Sequence, residues 1–183
     1  MTRIPVPEID EMPAASKELL EWIVQRPGTK VLSMQAQMAI APATLAGYIA
    51  LRRVTEEHGT LDPKTRAAVL AASAASLGVP YVEHLMTRVA SGAGWQPDEI
   101  VRLTEGHGSG NGKLDSLLAV VSNAGKNVGI VEDASWARAT QDGWTPAQLV
   151  EAFAYFSISL YCAYFTNFAG TEMDLPPTFP TEA

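Results

Sequence analysis

Apolar positions along the chain recur at helical spacing, with glycine and proline between the stripes. In residues 13–24, Leu19, Leu20, Ile23 and Val24 form a short apolar stripe that Pro27-Gly28 stops. Further helices are predicted over 31–40, from Pro42 or Ala43 to about residue 57 with Gly59 after it, and over 63–77. The 63–77 helix opens on Asp62-Pro63, an N-cap followed by proline at the first helical position. Its alanines (67, 68, 71, 72, 74 and 75) let neighbouring helices approach closely and mark it as central. The stretch 78–94 reads as the next helix, with Pro80 suited to its first position and Gly94 as its exit. At 3.6 residues per turn Val79, Val82, Glu83, Met86 and Ala90 share one face, and His84 points away from Val82 and Met86. Shorter helices follow from about 97 to 103, over 114–123 and over 133–141. The last helix begins at Thr145-Pro146-Ala147-Gln148, a cap, a first-turn proline and a capping-box glutamine, and ends near Phe168 before Gly170. No stretch shows strand alternation. The pattern predicts an all-α protein of eight or nine helices: one domain over 13–174, an extended arm at 1–12 and an irregular tail at 175–183.

One segment occurs twice. Gly94-Trp95-Gln96-Pro97-Asp98-Glu99-Ile100-Val101 is echoed 49 residues later by Gly143-Trp144-Thr145-Pro146-Ala147-Gln148-Leu149-Val150. In each, glycine closes a helix, tryptophan packs at the junction and proline opens the next helix, which predicts a duplicated helix pair.

Charge and composition narrow the function. The net charge of -7, with 13 scattered Lys and Arg, speaks against a phosphate backbone as partner. The apolar stretch 149–169 is long enough to span a membrane, but Glu151, Ser157, Ser159, Thr166 and Asn167 within it fit a buried soluble helix. The N-terminal residues lack the apolar core of a secretory signal. A cytoplasmic protein that contacts neither membrane nor nucleic acid is expected. A single cysteine, Cys162, can form neither an internal disulfide nor a Cys-x-x-Cys pair, and in an apolar helix it reads as inert packing. His58 and His107 have no partner at metal-ligand spacing, so neither a metal nor another cofactor is expected. Gly106, Gly108, Gly110 and Gly112 lack a preceding strand and a Gly-Lys-Ser/Thr ending, so they read as a connector rather than a phosphate cradle.

Three segments carry a resemblance. Leu61-Asp62-Pro63-Lys64-Thr65-Arg66, then 92–100, and above all 164–176, with its Asn167, Gly170, Glu172, Asp174 and Pro176, resemble the AhpD-like, or carboxymuconolactone decarboxylase, family. The likeness implies an AhpD-like helical fold and a homo-oligomer, whether dimer, trimer or hexamer. Redox members of that family use a glutamate, a Cys-x-x-Cys pair and a histidine. A thiolate attacks the peroxide, the second thiol resolves the intermediate, and the acid and imidazole move the proton. Carried over without a gap, these four fall on Ala67, Val79, Val82 and Met86, all apolar. Peroxide reduction is therefore not expected.

Polar candidates remain on the same helix. Glu83 borders the former redox face and would serve as an acid or base if partly buried; an exposed or interface carboxylate is the plainer reading. His84 reads as catalytic or, more simply, as an interface residue. Tyr81, Val79, Val82, Met86, Ala67, Tyr164 and Asn167 are the candidate substrate-binding set, with core packing as the competing account for the apolar ones. Asn167, Glu172 and Asp174 would orient a ligand or simply cap the last helix and anchor the tail. Two functions follow. One is a non-redox enzyme of decarboxylase, isomerase or cyclase type, acting on a small, largely apolar or aromatic acid. The other is a non-catalytic protein that binds a small molecule or assists assembly.

Overall fold

The computed structural model describes residues 2–25 and 29–176, so the Pro27-Gly28 stop and residues 177–183 of the tail lie outside the described residues. Among the described residues there is no strand, and the helices are α1 (Ala14–Val24), α2 (Ser33–Ala39), α3 (Pro42–His58), α4 (Pro63–Leu77), α5 (Pro80–Gly92), α6 (Pro97–Glu105), α7 (Gly112–Lys126), α8 (Asp133–Gln141) and α9 (Pro146–Ala169).

The start signals act through the bonds they imply. The Asp62 carboxylate accepts from the Lys64 and Thr65 N–H groups at 3.0 and 3.1 Å, filling two of the orphan donors that open α4. Thr145 Oγ1 accepts from Gln148 N at 3.2 Å, and Gln148 Oε1 accepts from Thr145 N at 3.1 Å, the two halves of the capping box on α9. One break differs from the pattern-based expectation, and two glycine exits stand where expected. The helix predicted over 114–123 is longer, because Asn111 caps it through Lys113 and Leu114 and so starts it at Gly112. Helix α5 ends at Gly92, and Gly94 takes the left-handed turn just beyond, at φ 89°. Gly59 follows α3 with an ordinary φ of -68°, so its role there is space: a Cβ would collide with the Tyr155 hydroxyl and the Thr55 carbonyl.

Helix α4 is the hub, packing on α5, α6, α7 and α9. Its small residues Ala67, Ala68, Ala71, Ala72, Ser73 and Ala74 are all buried, which is what lets four helices close around it. Helix α9 is long and apolar enough to cross a membrane, but half of its most apolar window is buried against other helices, as suits a core helix. Its one charged side chain, Glu151, accepts from Thr60 N, Thr60 Oγ1 and Leu61 N at 2.8, 2.6 and 2.9 Å and ties the α3–α4 turn to α9. The N-terminal arm is also tied down: Arg3 and Ile4 donate their backbone N–H groups to the Ala169 carbonyl at 2.9 and 3.1 Å.

The duplicated corner is one part of a larger internal repeat. Helices α4 and α7 start and end 49 residues apart, α5 and α8 end 49 apart, and α6 and α9 start 49 apart. Trp95 Nε1 donates to the Lys64 carbonyl at 2.9 Å, and Trp144 Nε1 to the Lys113 carbonyl at 2.7 Å. Each lysine ammonium lies over the ring its own carbonyl holds, at 4.2 and 4.9 Å. The glycines before the two tryptophans have φ of 89° and 90°. Helices α4 and α7 pack together at equivalent residues, for a Cβ on Gly125 would land on Ser76, its counterpart 49 positions earlier.

Candidate functional site

The face of α5 that would carry redox chemistry is closed. Val79, at the N-cap, is 7% exposed, Val82 0%, Met86 3%, and Ala67 on α4 2%. These four join the main core. Burying valine and methionine side chains stabilises by roughly 1.5–3 kcal/mol each, so this face works as packing. The remaining thiol offers no substitute: Cys162 is fully buried and burial pushes its pKa up to about 12, far from the thiolate form that reacts.

Tyr81, between the two valines, is buried and donates its hydroxyl to Asp174 Oδ1 at 2.8 Å. The other oxygen, Asp174 Oδ2, accepts from the backbone N–H of Ser33 at the start of α2, at 2.7 Å. Burial works to raise the Asp174 pKa, but the Ser33 and Tyr81 hydrogen bonds outweigh it and hold the carboxyl below its ordinary value. Burial, and then the bond to this carboxylate, push the Tyr81 phenol well above its usual value, so it stays a protonated donor. His84 Nε2 lies 2.8 Å from the Pro176 carbonyl, and Arg88 donates to the same oxygen at 3.3 Å. Glu172 accepts from the Thr2 hydroxyl at 2.8 Å. The segment after α9 is therefore a strap over α2 and α5, and Asp174 and Glu172 serve as its anchors.

Glu83 is half-buried and has no hydrogen-bond partner among the described residues, and burial raises its pKa. His84 is held by the strap and turned from the valine–methionine face. Tyr164 is 62% exposed, and Asn167, also exposed, accepts from Arg3 through its backbone carbonyl at 2.6 Å. Neither joins the buried set around Val82. The structure thus brings Ala67, Val79, Tyr81, Val82 and Met86 together as core, sets Glu83 and His84 at its margin, and leaves Tyr164 and Asn167 apart.

An apolar pocket of about 260 Å³, half open to solvent, lies elsewhere, among α7, the loop before α8, Trp136 of α8, and α9. The sequence marks one of its walls without revealing the cavity itself. Val79-Pro80-Tyr81-Val82-Glu83 has its own echo, at the same 49-residue offset, in Val128-Gly129-Ile130-Val131-Glu132.

No protein-family model matches the chain, and no curated protein sequence matches it. Solved structures do. An AhpD-core alkylhydroperoxidase, an uncharacterised peroxidase-related protein of Ralstonia eutropha JMP134, superposes with a TM-score of 0.81 at 15% identity, covering 94% of this chain and 92% of that one. The debrominase Bmp8, free of ligand, gives 0.80 at 12% identity over 95% and 93% of the two chains. Its cysteine-to-alanine variant, in complex with 2,3,4-tribromopyrrole, gives 0.79 at 11% identity over 95% and 92%. Near-complete coverage in both directions, with the helical order described above, gives this chain the AhpD-like helical fold.

Proposed function

We propose that this chain is a cytoplasmic AhpD-like protein without a thiol peroxidase centre, which binds a small, largely apolar molecule and works as a homo-oligomer. The observation that carries the first part is the buried, apolar set Ala67, Val79, Val82 and Met86 where a peroxidase of this fold needs an acid, two thiols and an imidazole. Support for binding comes from the fold's capacity: Bmp8, of the same architecture, is seen with a small halogenated pyrrole. Support for self-association comes from α9, where Tyr164 and Phe168 are 62% and 69% exposed on a helix whose one charged side chain is engaged with the α3–α4 turn.

The test is thermal unfolding of the purified protein with a panel of small aromatic compounds. A binder at a hundred times its Kd stabilises the fold by about 2.7 kcal/mol, a clear rise in Tm. A flat response across neutral and anionic aromatics alike, together with no co-purified compound by native mass spectrometry, overturns the binding reading.

Glu83 favours a second reading, a non-redox lyase or isomerase. A half-buried carboxyl with a raised pKa and no partner is the kind of group that takes or gives a proton. If it does, Glu83→Gln abolishes turnover of the bound compound and leaves its affinity within a few-fold. Conversion of that compound at an unchanged rate by the variant rules Glu83 out as the acid or base.

A further inference from the structure

The internal repeat makes a comparison inside one molecule. Helix α5 spans Pro80–Gly92, and the same span 49 residues later would be 129–141, yet α8 begins only at Asp133. The first turn of the second copy is unwound. Val79 and Tyr81 are 7% and 4% exposed, whereas their counterparts Val128 and Ile130 are 90% and 70% exposed. The left-handed position also shifts and widens: in the first copy it is Gly78, at φ 64°, and in the second it is Val128, at φ 54°, a conformation a β-branched residue rarely adopts, followed by Gly129, at φ 87°. Helix α5 packs on α6, but α8 makes no comparable packing on α9. The gap left between them is the cavity of about 260 Å³, lined among others by Val120, Val121, Val131, Trp136, Phe153 and Phe156. The Trp136 indole N–H is the one polar side-chain group among the lining residues, and it has no hydrogen-bond partner among the described residues.

We infer that this cavity, at the repeat-related counterpart of the closed redox position, is a binding site for a small uncharged molecule built on one or two apolar rings. The volume suits that size, since an apolar cavity of about 150 Å³ already takes up benzene. The lining disfavours charge: it offers no ionic side chain, so a carboxylate drawn in past the open rim, where Val150 and Phe153 are 67% and 57% exposed, would lose hydration without gaining a partner. A single hydrogen-bond acceptor on the ring is the one polar feature the lining can answer, through Trp136. Gly129 and Val131, in the loop 127–132 that holds the strained Val128, form one wall of the site. This inference rests on the binding reading above and narrows its ligand class from small apolar molecules of either kind, neutral or anionic, to neutral ones.

The probes are 6-propionyl-2-(dimethylamino)naphthalene, a neutral two-ring fluorophore with a carbonyl acceptor, followed by its fluorescence, and the pair 2-methylnaphthalene and 2-naphthoate as competitors, all with the full chain in its native oligomeric state. The expected result is saturable binding at one site per chain, displaced by 2-methylnaphthalene at least tenfold more effectively than by 2-naphthoate. Val150→Trp, an exposed position at the rim, and Ala124→Leu, which fills the interior, should each weaken the probe at least tenfold. Because Ala124 is buried, its variant counts only with an unchanged circular dichroism spectrum; the exposed Val150 carries the test regardless. Binding that neither substitution moves overturns the location while leaving the binding reading intact. Binding that disappears as the chains associate overturns the location too, since a second copy then fills the site. Absence of saturable binding by any of the three probes overturns both.

Discussion

Met86 stands where the redox members of this fold family need an imidazole, and at 3% exposure its thioether fills core space instead. Truncation should therefore act on stability: Met86→Ala is expected to lower the unfolding free energy by about 2–5 kcal/mol in a urea titration, the range for large-to-small core changes. A loss under 1 kcal/mol would mean that the side chain borders open space. Asp174 governs a different property, the response to acid. Its carboxyl is held below the ordinary value in the folded chain, so its contribution is complete above the unfolded pKa of about 3.9 and is lost as pH falls through the folded value. Asp174→Asn should cost about 1 kcal/mol at pH 7, as for loss of a helix-capping carboxylate, with the gap to the parent narrowing as pH falls below the unfolded value. Melting curves of the two proteins from pH 7 down to about pH 2 check this, and a gap that does not shrink over the acid end of that range contradicts the assignment.

Among the elements, the contact of α4 with α7 is the most demanding. A Cβ on Gly125 would fall on Ser76, so Gly125→Ala should destabilise by about 1–3 kcal/mol, as overpacking does. Adding Ser76→Gly should recover part of that loss; additive losses in the double variant would sever the two positions. Most of these elements were legible in the sequence because their ends are written in local chemistry: Asp62-Pro63, the Thr145–Gln148 box and the two Gly-Trp corners each satisfy orphan backbone groups within a few residues. The redox-position substitutions on α4 and α5 were legible only through the resemblance to AhpD-like proteins, which implies where the acid, thiols and imidazole would fall. What spacing could not show was the strap. Asp174 reaches Tyr81 and Ser33 across separations of 93 and 141 residues, and such pairings follow from packing rather than period. The cavity escaped for another reason. Val128 to Val131 is as apolar as its earlier counterpart, and only the unwound turn decides that two of its side chains face solvent.

At the scale of the whole molecule, the chain keeps a scaffold and replaces the chemistry at its centre with packing. Tyr164 and Phe168, exposed on an acidic chain, are expected to be covered by a second copy. Tyr164→Glu with Phe168→Glu should shift the mass measured by light scattering to that of a single chain, with helicity unchanged. A parent protein already monomeric at tens of micromolar would refute this. The central claim is that no thiol chemistry remains, and it is tested most directly by alkyl hydroperoxide consumption with a dithiol reductant in excess. The parent protein and Cys162→Ala are both predicted to run at the rate of the protein-free blank. Saturable turnover by the parent would contradict the account, and its survival in Cys162→Ala would place peroxide reduction on groups other than thiols.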